Sequence, residues 1–183
     1  MFGILSSFLP LLIKEQNIPL NAGIFYMTTA IASFMIRLPI ANISDRYGRG
    51  IFISAGLCFY VLAMLVIATV HTRLALIGAG ALEGIGSGIV IPSIMTLLSD
   101  RTTPKERGFI FGLTWLGFDL GMAACSPIIG TLIVIIGLSG AFAVACGMAI
   151  LALVIFVTQS SSTLKTSFLF AIGLEKDRYA KTL

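Results

Sequence analysis

Three charged side chains lie inside long apolar stretches of the chain: Arg37, Glu83 and Asp119. A charge at the centre of a lipid bilayer costs about 2.5–3.5 kcal/mol on insertion scales, so such residues are expected to face a cavity or each other. A carboxyl group in that setting can take up and release a proton. We predict that Glu83 or Asp119 is such a protonatable group, with Arg37 as its counter-ion or as a contact for an anionic small molecule. Two simpler interpretations stay open: a structural ion pair between packed helices, and an Arg37 side chain that extends to the aqueous boundary.

A second set of charged residues occupies two short segments that separate apolar stretches. Its members are Asp45, Arg46, Gly48 and Arg49 in the first segment, and Asp100 and Arg107 in the second. Glycine permits a turn that most residues resist, and a carboxylate such as Asp45 can accept hydrogen bonds from a helix N-terminus. Arg46 and Arg49 can pair with a carboxylate of the second segment, which would lock one conformation of the helix ends. The alternative is that these basic residues only anchor the segments on the aqueous side.

Long apolar helices must position both sets of charges. Hydrophobic residues make up 57% of the chain and charged residues 11%, whereas a soluble domain carries about 25% charged residues. The apolar runs are continuous rather than alternating, which favours membrane-spanning helices over barrel strands. We predict an all-α integral membrane protein whose membrane domain covers residues 1–158. Its helices are expected at about 1–13, 21–43, 51–70, 74–98, 108–136 and 139–157.

The first and last parts of the chain differ from this pattern. Residues 1–13 cover about 20 Å of a hydrocarbon core of about 30 Å, and no basic residue precedes them, so a signal peptide is a poor fit. We interpret them as the outer part of a truncated first helix whose beginning is missing. Residues 159–183 are more polar and charged. They are interpreted as a tail that is either mobile or forms a short helix on the membrane surface.

The distribution of basic residues predicts the orientation of the helices. One side carries nine basic residues: Arg46, Arg49, Arg101, Lys105, Arg107, Lys165, Lys176, Arg178 and Lys181. The other side carries only two, Lys14 and Arg73. Because lysine and arginine are enriched in cytoplasmic loops, the tail and the C-terminus are predicted to be cytoplasmic. The same bias explains the net charge of +4 without a nucleic-acid partner.

Few residues offer enzymatic or metal-binding chemistry. The cysteines Cys58, Cys125 and Cys146 all fall inside apolar stretches, and the one histidine, His71, lies in a short turn. These residues form neither a disulfide framework nor a ligand cluster of the kind that zinc sites need. We therefore predict no metal site, no cofactor and no enzymatic activity.

Glycine and proline recur at regular positions in the fourth and fifth apolar stretches. Gly80, Gly84 and Gly88 follow each other at intervals of four, and Gly121 and Pro127 lie in the next stretch. Small residues at this spacing allow two membrane helices to approach closely. Helix packing is the preferred interpretation, and a substrate-lining role is the alternative. For Tyr60 and Trp115 the choice between cavity aromatics and lipid contacts stays open.

Both charged segments resemble motifs of the major facilitator superfamily. The segment A-N-I-S-D-R-Y-G-R-G at 41–50 resembles the signature G-x-x-x-D-R-x-G-R-[RK], which lies between the second and third helices of each six-helix half. It departs from the signature at Ala41 and Gly50, as the copy in the second half often does. The segment S-D-R-T-T-P-K-E-R-G at 99–108 is similar to the D-x-x-x-P-x-x-R-G loop between the fourth and fifth helices of a half.

Two shorter stretches extend this resemblance. The sequences F-L-P-L at 8–11 and F-D-L-G at 118–121 look like parts of the seventh and eleventh helices of bacterial arabinose-efflux-like members. The resemblance implies the C-terminal six-helix half of such a transporter, in the plasma (inner) membrane of a bacterium. It also implies the bilayer, a small solute and a proton as partners.

The function implied is secondary active transport of a small solute, of the sugar- or drug-efflux kind. Transport would be coupled to protons through Glu83 or Asp119, with Arg37 as the counter-ion or as a contact for an anionic solute. In this superfamily the solute cavity lies between two six-helix halves. A chain that forms one half would therefore need another half, either a second copy or a separate chain. The alternative is a non-transporting remnant, or a half-subunit that acts only with its partner.

Overall fold

The structure is a computed structural model that describes residues 1–69, 71–175, 177 and 179–180, without the side chains of 41–47. Within these residues every regular element is a helix, as predicted. The helices are α1 (Phe2–Glu15), α2 (Ala22–Tyr47), α3 (Arg49–Thr69), α4 (Arg73–Arg101), α5 (Arg107–Gln159) and α6 (Leu164–Ala171). The predicted all-α membrane fold is confirmed.

Polar side chains mark where several of these helices begin. The Oδ1 atom of Asn21 accepts a hydrogen bond from the Gly23 amide at 2.7 Å, and the hydroxyl of Thr72 accepts one from the Ala75 amide at 3.3 Å. Thr163 caps α6 in the same way as part of a capping box. Such caps satisfy amide groups that have no partner within the first helical turn.

Helix α2 continues four residues further than the sequence indicated. We expected a loop from residue 44 onwards, but α2 ends at Tyr47 and α3 begins at Arg49, so Gly48 alone joins them. Gly48 has a φ of +88°, a conformation that glycine adopts without the steric cost of a Cβ atom. The charged residues before it are compatible with a helix, which is why the charge pattern misplaced the boundary.

Helix α5 is broken at Gly137, where φ is +74° and ψ is 173°. Its 53 residues would extend about 80 Å if straight, far more than a bilayer core of about 30 Å. The break separates a first segment, α5N (107–136), from a second segment, α5C (138–159). Near the break the hydroxyl of Ser139 lies 3.2 Å from His71 Nε2, which joins this turn to the turn before α4.

Helix α4 lies at the centre of the bundle, with α2 on one side and α3 on the other. Helix α3 also packs against α5, and α1 packs against α5. The buried residues of α5C recur on one face at helical spacing: Leu138, Ala141, Phe142, Ala145, Cys146 and Ala149. In α5N only Ile129 is buried, so α5C contributes to the core and α5N lies largely at its edge.

Among the residues that the structure describes, four helices are long and apolar enough to cross a membrane: α2 over Ala22–Ile40, then α3, α4 and α5. The break at Gly137 turns α5 into two passes. Helix α1 has 14 residues and extends about 21 Å, less than a full crossing.

Helix α6 is packed against the bundle. It contacts α3 and α5, and Phe170 is buried in a cluster with Ile53, Leu57 and Phe156. Of the two interpretations of the tail, the described part up to Ala171 matches the short helix rather than a mobile segment. The physical reason is that Phe170 of α6 is buried against residues of α3 and α5.

Candidate functional site

The carboxylate of Glu83 is buried between three helices. Only 1% of the residue is exposed, and it borders a small cavity of about 40 Å³ between α1, α2 and α4. The other lining residues are Phe2, Leu5, Ser6, Phe25, Tyr26 and Thr29. A cavity of this size has room for a water molecule. The position combines an acidic group, shelter from lipid and a space for water.

The hydroxyl groups around Glu83 are bound elsewhere. Thr29 donates to the Gly80 carbonyl at 3.0 Å, and Tyr26 donates to the Leu5 carbonyl at 2.9 Å. Neither carboxylate oxygen of Glu83 has a hydrogen-bond partner among the described residues. A buried carboxylate without hydrogen bonds is costly to keep charged, and uptake of one proton removes that charge. The site therefore has the chemistry for reversible protonation.

Arg37 and Asp119 do not join Glu83. Both side chains are exposed, Arg37 on α2 and Asp119 on α5N. The ion pairs seen within the described residues link Arg49 to Asp100 and Arg101 to Asp177, and neither involves these three charges. An ion pair among the intramembrane charges, one of the interpretations left open, is absent from this conformation of the described chain.

A larger cavity of about 280 Å³ lies next to the Glu83 cavity, and Phe2 borders both. Its walls come from α1, α3, α4 and α5N. The lining residues are Met1, Phe2, Leu57, Tyr60, Val90, Ile91, Ile94, Met95, Thr114, Trp115 and Phe118. We refer to this space as the aromatic cavity. It contains both Tyr60 and Trp115, so the structure places these two residues on a cavity wall.

Three rings of the aromatic cavity pack against one another, Trp115 and Phe118 edge to face and Phe2 and Phe118 at a tilt. The centroids of Trp115 and Phe118 are 5.6 Å apart at 78°, and those of Phe2 and Phe118 are 6.3 Å apart at 58°. The side chains of Tyr60 and Thr114 bring hydroxyl groups to a lining that is otherwise apolar. Pockets of this composition suit small apolar molecules that a few polar groups orient.

The glycines of α4 face α2 at regular intervals. A Cβ atom added to Gly80, Gly84 or Gly88 would meet backbone atoms of α2. The α2 residues met in turn are Phe25, Thr29 and Ser33, which are also four positions apart. The two parallel helices therefore approach through matching four-residue periods, as small residues at this spacing permit.

Gly121 and Pro127 do not take part in such packing within this chain. Both are exposed on α5N, and no heavy atom lies within 4 Å of a Cβ atom placed on Gly121. Small residues allow a close approach but do not supply the neighbouring helix, so packing at Gly121 and Pro127 stays a prediction. In the described structure that neighbour is missing from this face of α5N.

Several arginines meet at one end of the bundle, where α3 and α5 begin and α4 ends. We call this the basic end, and its residues are Arg49, Arg101 and Arg107. The Nε atom of Arg49 lies 3.2 Å from Asp100 Oδ2, and the two side chains are 17% and 39% exposed. The pairing expected between the two charged segments is thus present for Arg49. Asp45 and Arg46 lie outside the described side chains.

Arg107 and Glu106, also in the second charged segment, form hydrogen bonds with nearby residues of the same segment. The Nη2 atom of Arg107 donates to the Ser99 carbonyl at 3.3 Å. Glu106 accepts hydrogen bonds from the Thr103 hydroxyl at 2.7 Å and from the Thr103 amide at 3.1 Å. These contacts fix the turn between α4 and α5, which in turn positions Asp100 beside α3.

Two contacts at the basic end were missed by sequence reasoning. A Cβ atom on Gly50 would collide with the Phe170 carbonyl, so glycine at this signature position allows α6 to lie against α3. Arg101, counted only as one basic residue among nine, pairs with Asp177 of the tail at 2.8 Å. The only signal for the second contact was the acidic residue in the tail, and the sequence did not show that the tail returns to α4.

Comparison with known proteins agrees with this architecture. The family model described as Major Facilitator Superfamily matches residues 1–169. An uncharacterized MFS-type transporter of Salmonella typhimurium is 32% identical over 152 residues, covering 82% of this chain and 38% of the relative. The inner membrane transport protein YajR of Escherichia coli is 29% identical over 154 residues, covering 82% of this chain and 32% of the relative.

A third relative is multidrug resistance protein 3 of Bacillus subtilis, which is 32% identical over 107 residues, covering 56% of this chain and 21% of that protein. No solved structure matched. The chain spans between 21% and 38% of the length of these three relatives. Members of the matched family are membrane transporters rather than enzymes. With its membrane-spanning helices, its two charged segments and a family match over 169 residues, the chain belongs to the Major Facilitator Superfamily.

Proposed function

We propose that this chain forms one six-helix half of a secondary active transporter that exports a small solute in exchange for protons. The expected location is the plasma (inner) membrane of a bacterium, with the basic end and the C-terminus in the cytoplasm. The bias of basic residues towards that end supports this orientation. Secondary transport in this superfamily takes place in a cavity between two halves.

The observation that carries the proposal is the setting of Glu83. Its carboxylate is buried, lacks a hydrogen-bond partner in the described structure and borders a space that can hold water. Ionisable residues inside membrane segments are costly and are kept where they serve a pathway or a relay. We assign Glu83 the role of proton carrier, because Asp119 lies on an exposed face instead.

The aromatic cavity supports a small apolar solute as the cargo. It adjoins the Glu83 cavity through Phe2, so a change at one site can be transmitted to the other through a single side chain. The name multidrug resistance protein 3, carried by the Bacillus subtilis relative, agrees with a drug-like cargo. A sugar is the less favoured solute because a sugar needs more polar partners than the two hydroxyl groups of this cavity provide.

The exposed faces of α2 and α5N support a second half. On α2 these side chains are Met27, Ile31, Phe34, Met35 and Leu38. Arg37 lies on α2 and Asp119 on α5N, and both are exposed. A charge in contact with lipid is costly, so these two are expected to face another half or a water-filled path. That half is a second copy of this chain or a separate chain.

The basic end supports a gate. The ion pair of Arg49 and Asp100 links the start of α3 to the end of α4. Arg46, Asp45 and Arg107 are proposed to extend this contact to the facing half, so that the gate closes in one conformation and opens when the halves move apart.

Transport assays in liposomes test the proposal. The purified chain is reconstituted with a pH gradient, and uptake of radiolabelled chloramphenicol and arabinose is followed together with proton flux. Light scattering in detergent gives the oligomeric state of the same sample. Glu83→Gln is expected to abolish the dependence on the pH gradient, whereas Glu15→Gln, an exposed carboxylate at the end of α1, keeps it. The Asp119→Asn variant is compared in the same assay.

The outcomes distinguish a proton-coupled transporter from a chain that does not transport unaided. Equal dependence on the gradient in wild type and Glu83→Gln contradicts proton coupling through Glu83. A monomer that moves neither probe contradicts transport by this chain unaided. That result favours the alternative, a non-transporting remnant or a half-subunit that acts only with its partner.

A further inference from the structure

We propose that the basic end carries a docking site for the chain's own C-terminal tail, held at Asp177 and Tyr179, with Arg101 at its centre. Arg101 is the last residue of α4. Its Nε atom lies 2.8 Å from Asp177 Oδ2, and its Nη2 atom lies 2.9 Å from Asp177 Oδ1. This is a bidentate ion pair, the geometry in which a guanidinium group binds a carboxylate most specifically.

The remaining faces of the Arg101 guanidinium are occupied as well. Nη2 also donates to the Ser160 carbonyl at the end of α5, at 2.8 Å. The guanidinium carbon lies 5.5 Å from the ring centre of Phe170 and 5.2 Å from that of Tyr179. Both distances lie within the range of a cation–π interaction. One side chain therefore holds groups from α5, α6 and the tail together.

The tail also folds around its own carboxylate. The amide of Tyr179 donates to Asp177 Oδ1 at 3.0 Å, so the same oxygen accepts hydrogen bonds from Arg101 and from the tail backbone. The Asp177 side chain is 11% exposed and the Arg101 side chain 23% exposed. This pair is better shielded from water than that of Arg49 and Asp100, so solvent and salt screen it less.

The walls of the site are held by contacts of their own. The Ser167 hydroxyl accepts from the Ser161 amide at 2.8 Å, and Thr163 and Thr166 form a capping box that begins α6. Phe170, which carries one wall, is buried against α3 and α5. None of these contacts involves Asp177 or Tyr179, the two tail residues that bind Arg101.

Docking has a mechanical consequence. Neighbouring residues of α4 make both contacts: Asp100 holds α3 through Arg49, and Arg101 holds α5 and the tail. Any motion that separates the end of α4 from the end of α5 must break the contacts of Arg101. The docked tail therefore acts as a releasable clamp on this end of the bundle.

Hydrogen exchange measured by mass spectrometry tests the clamp. The full chain is placed in nanodiscs of zwitterionic lipid, and amide exchange is followed in peptides that cover residues 164–180. Arg101→Gln is expected to speed exchange in this region about tenfold or more, as expected for the loss of charge-assisted hydrogen bonds. The matched control is Arg73→Gln, which removes an exposed arginine from the other end of the same helix.

A second variant distinguishes loss of tail docking from general misfolding of the Arg101→Gln protein. Asp177→Asn alters only the tail and is expected to speed exchange after residue 174 while the rest of α6 keeps its protection. Arg101→Asp combined with Asp177→Arg is expected to recover part of the protection that either single change removes. Unchanged exchange in both Arg101→Gln and Asp177→Asn overturns the proposal. Loss of tail protection in wild type when anionic phosphatidylglycerol is added overturns it too, because lipid would then be the occupant of the site.

Discussion

The Thr29 hydroxyl donates a hydrogen bond to the Gly80 carbonyl across the contact between α2 and α4, at a distance of 3.0 Å. The bond is possible because glycine residues let the two backbones approach closely. One turn further along, a Cβ atom on Gly84 would collide with the Thr29 carbonyl. The close contact of α2 with α4 also places Glu83 of α4 at the same small cavity as Phe25, Tyr26 and Thr29 of α2.

Gly84→Ala is expected to destabilise the protein by about 1–3 kcal/mol, because the added methyl group forces α2 and α4 apart. Thermal unfolding in detergent measures the change. Gly112→Ala is the matched control, since a Cβ atom there meets nothing within 4 Å, and it is expected to be neutral or to stabilise by up to about 1 kcal/mol. Equal melting temperatures for the two variants would show that the glycine contact is not needed.

The turn at Gly137 gives a second prediction. Its φ of +74° and ψ of 173° lie in a region that is almost confined to glycine, so Gly137→Ala is expected to cost about 1–3 kcal/mol. Gly147→Ala lies in the same helix with open space around it and is expected to have the opposite sign or no effect. Thermal unfolding of both variants measures the difference, and a Gly137→Ala protein as stable as Gly147→Ala would contradict the turn.

The ion pair of Arg49 and Asp100 gives a third prediction. A double-mutant cycle with Arg49→Gln and Asp100→Asn is expected to yield a coupling of about 0.2–1 kcal/mol, the range of partly exposed pairs. Chemical unfolding at low salt measures it, and the coupling should fall as salt is raised. A coupling free energy that does not change with salt concentration would mean that the interaction is not electrostatic.

The aromatic cavity gives a fourth prediction, for which Trp115 is the reporter because it is the only tryptophan in the chain. A small brominated aromatic compound is expected to quench Trp115 fluorescence with saturation. Val90→Phe fills the cavity and should weaken the saturable part about tenfold or more, in line with the steric cost of overpacking.

Val134→Phe makes the same change at an exposed position of α5N and should leave the quenching curve unaltered. Quenching that rises linearly with the compound in all three proteins would indicate partition into the detergent or lipid rather than binding in the cavity.

The membrane class and most helix positions could be predicted because they depend on local composition. Continuous apolar runs of about 20 residues have few alternatives in lipid other than helices. The end of α2 was misplaced because charged residues before Gly48 suit a loop and a helix equally. The backbone conformation of Gly48 decides that boundary, and composition does not reveal it.

The candidate site was predictable in part. Glu83 and Asp119 were equally unusual in the sequence, because each is a carboxylate in an apolar stretch. The structure separates them because the burial of a residue depends on which helices surround it: α4 has neighbours on both sides, whereas α5N lies at the edge. Small residues likewise occur in both α4 and α5N, but of these two segments only the glycines of α4 meet another helix.

The sequence alone determined the membrane environment, the helical class, the bias of basic residues and the superfamily, because each of these follows from residue types and their spacing along the chain. Only the tertiary structure decided that Glu83 borders a cavity lined by α1 and α2, that Gly50 makes room for α6 and that Arg101 holds Asp177. These arrangements join residues 50 or more positions apart along the chain. They depend on how the helices return past one another, which no local pattern specifies.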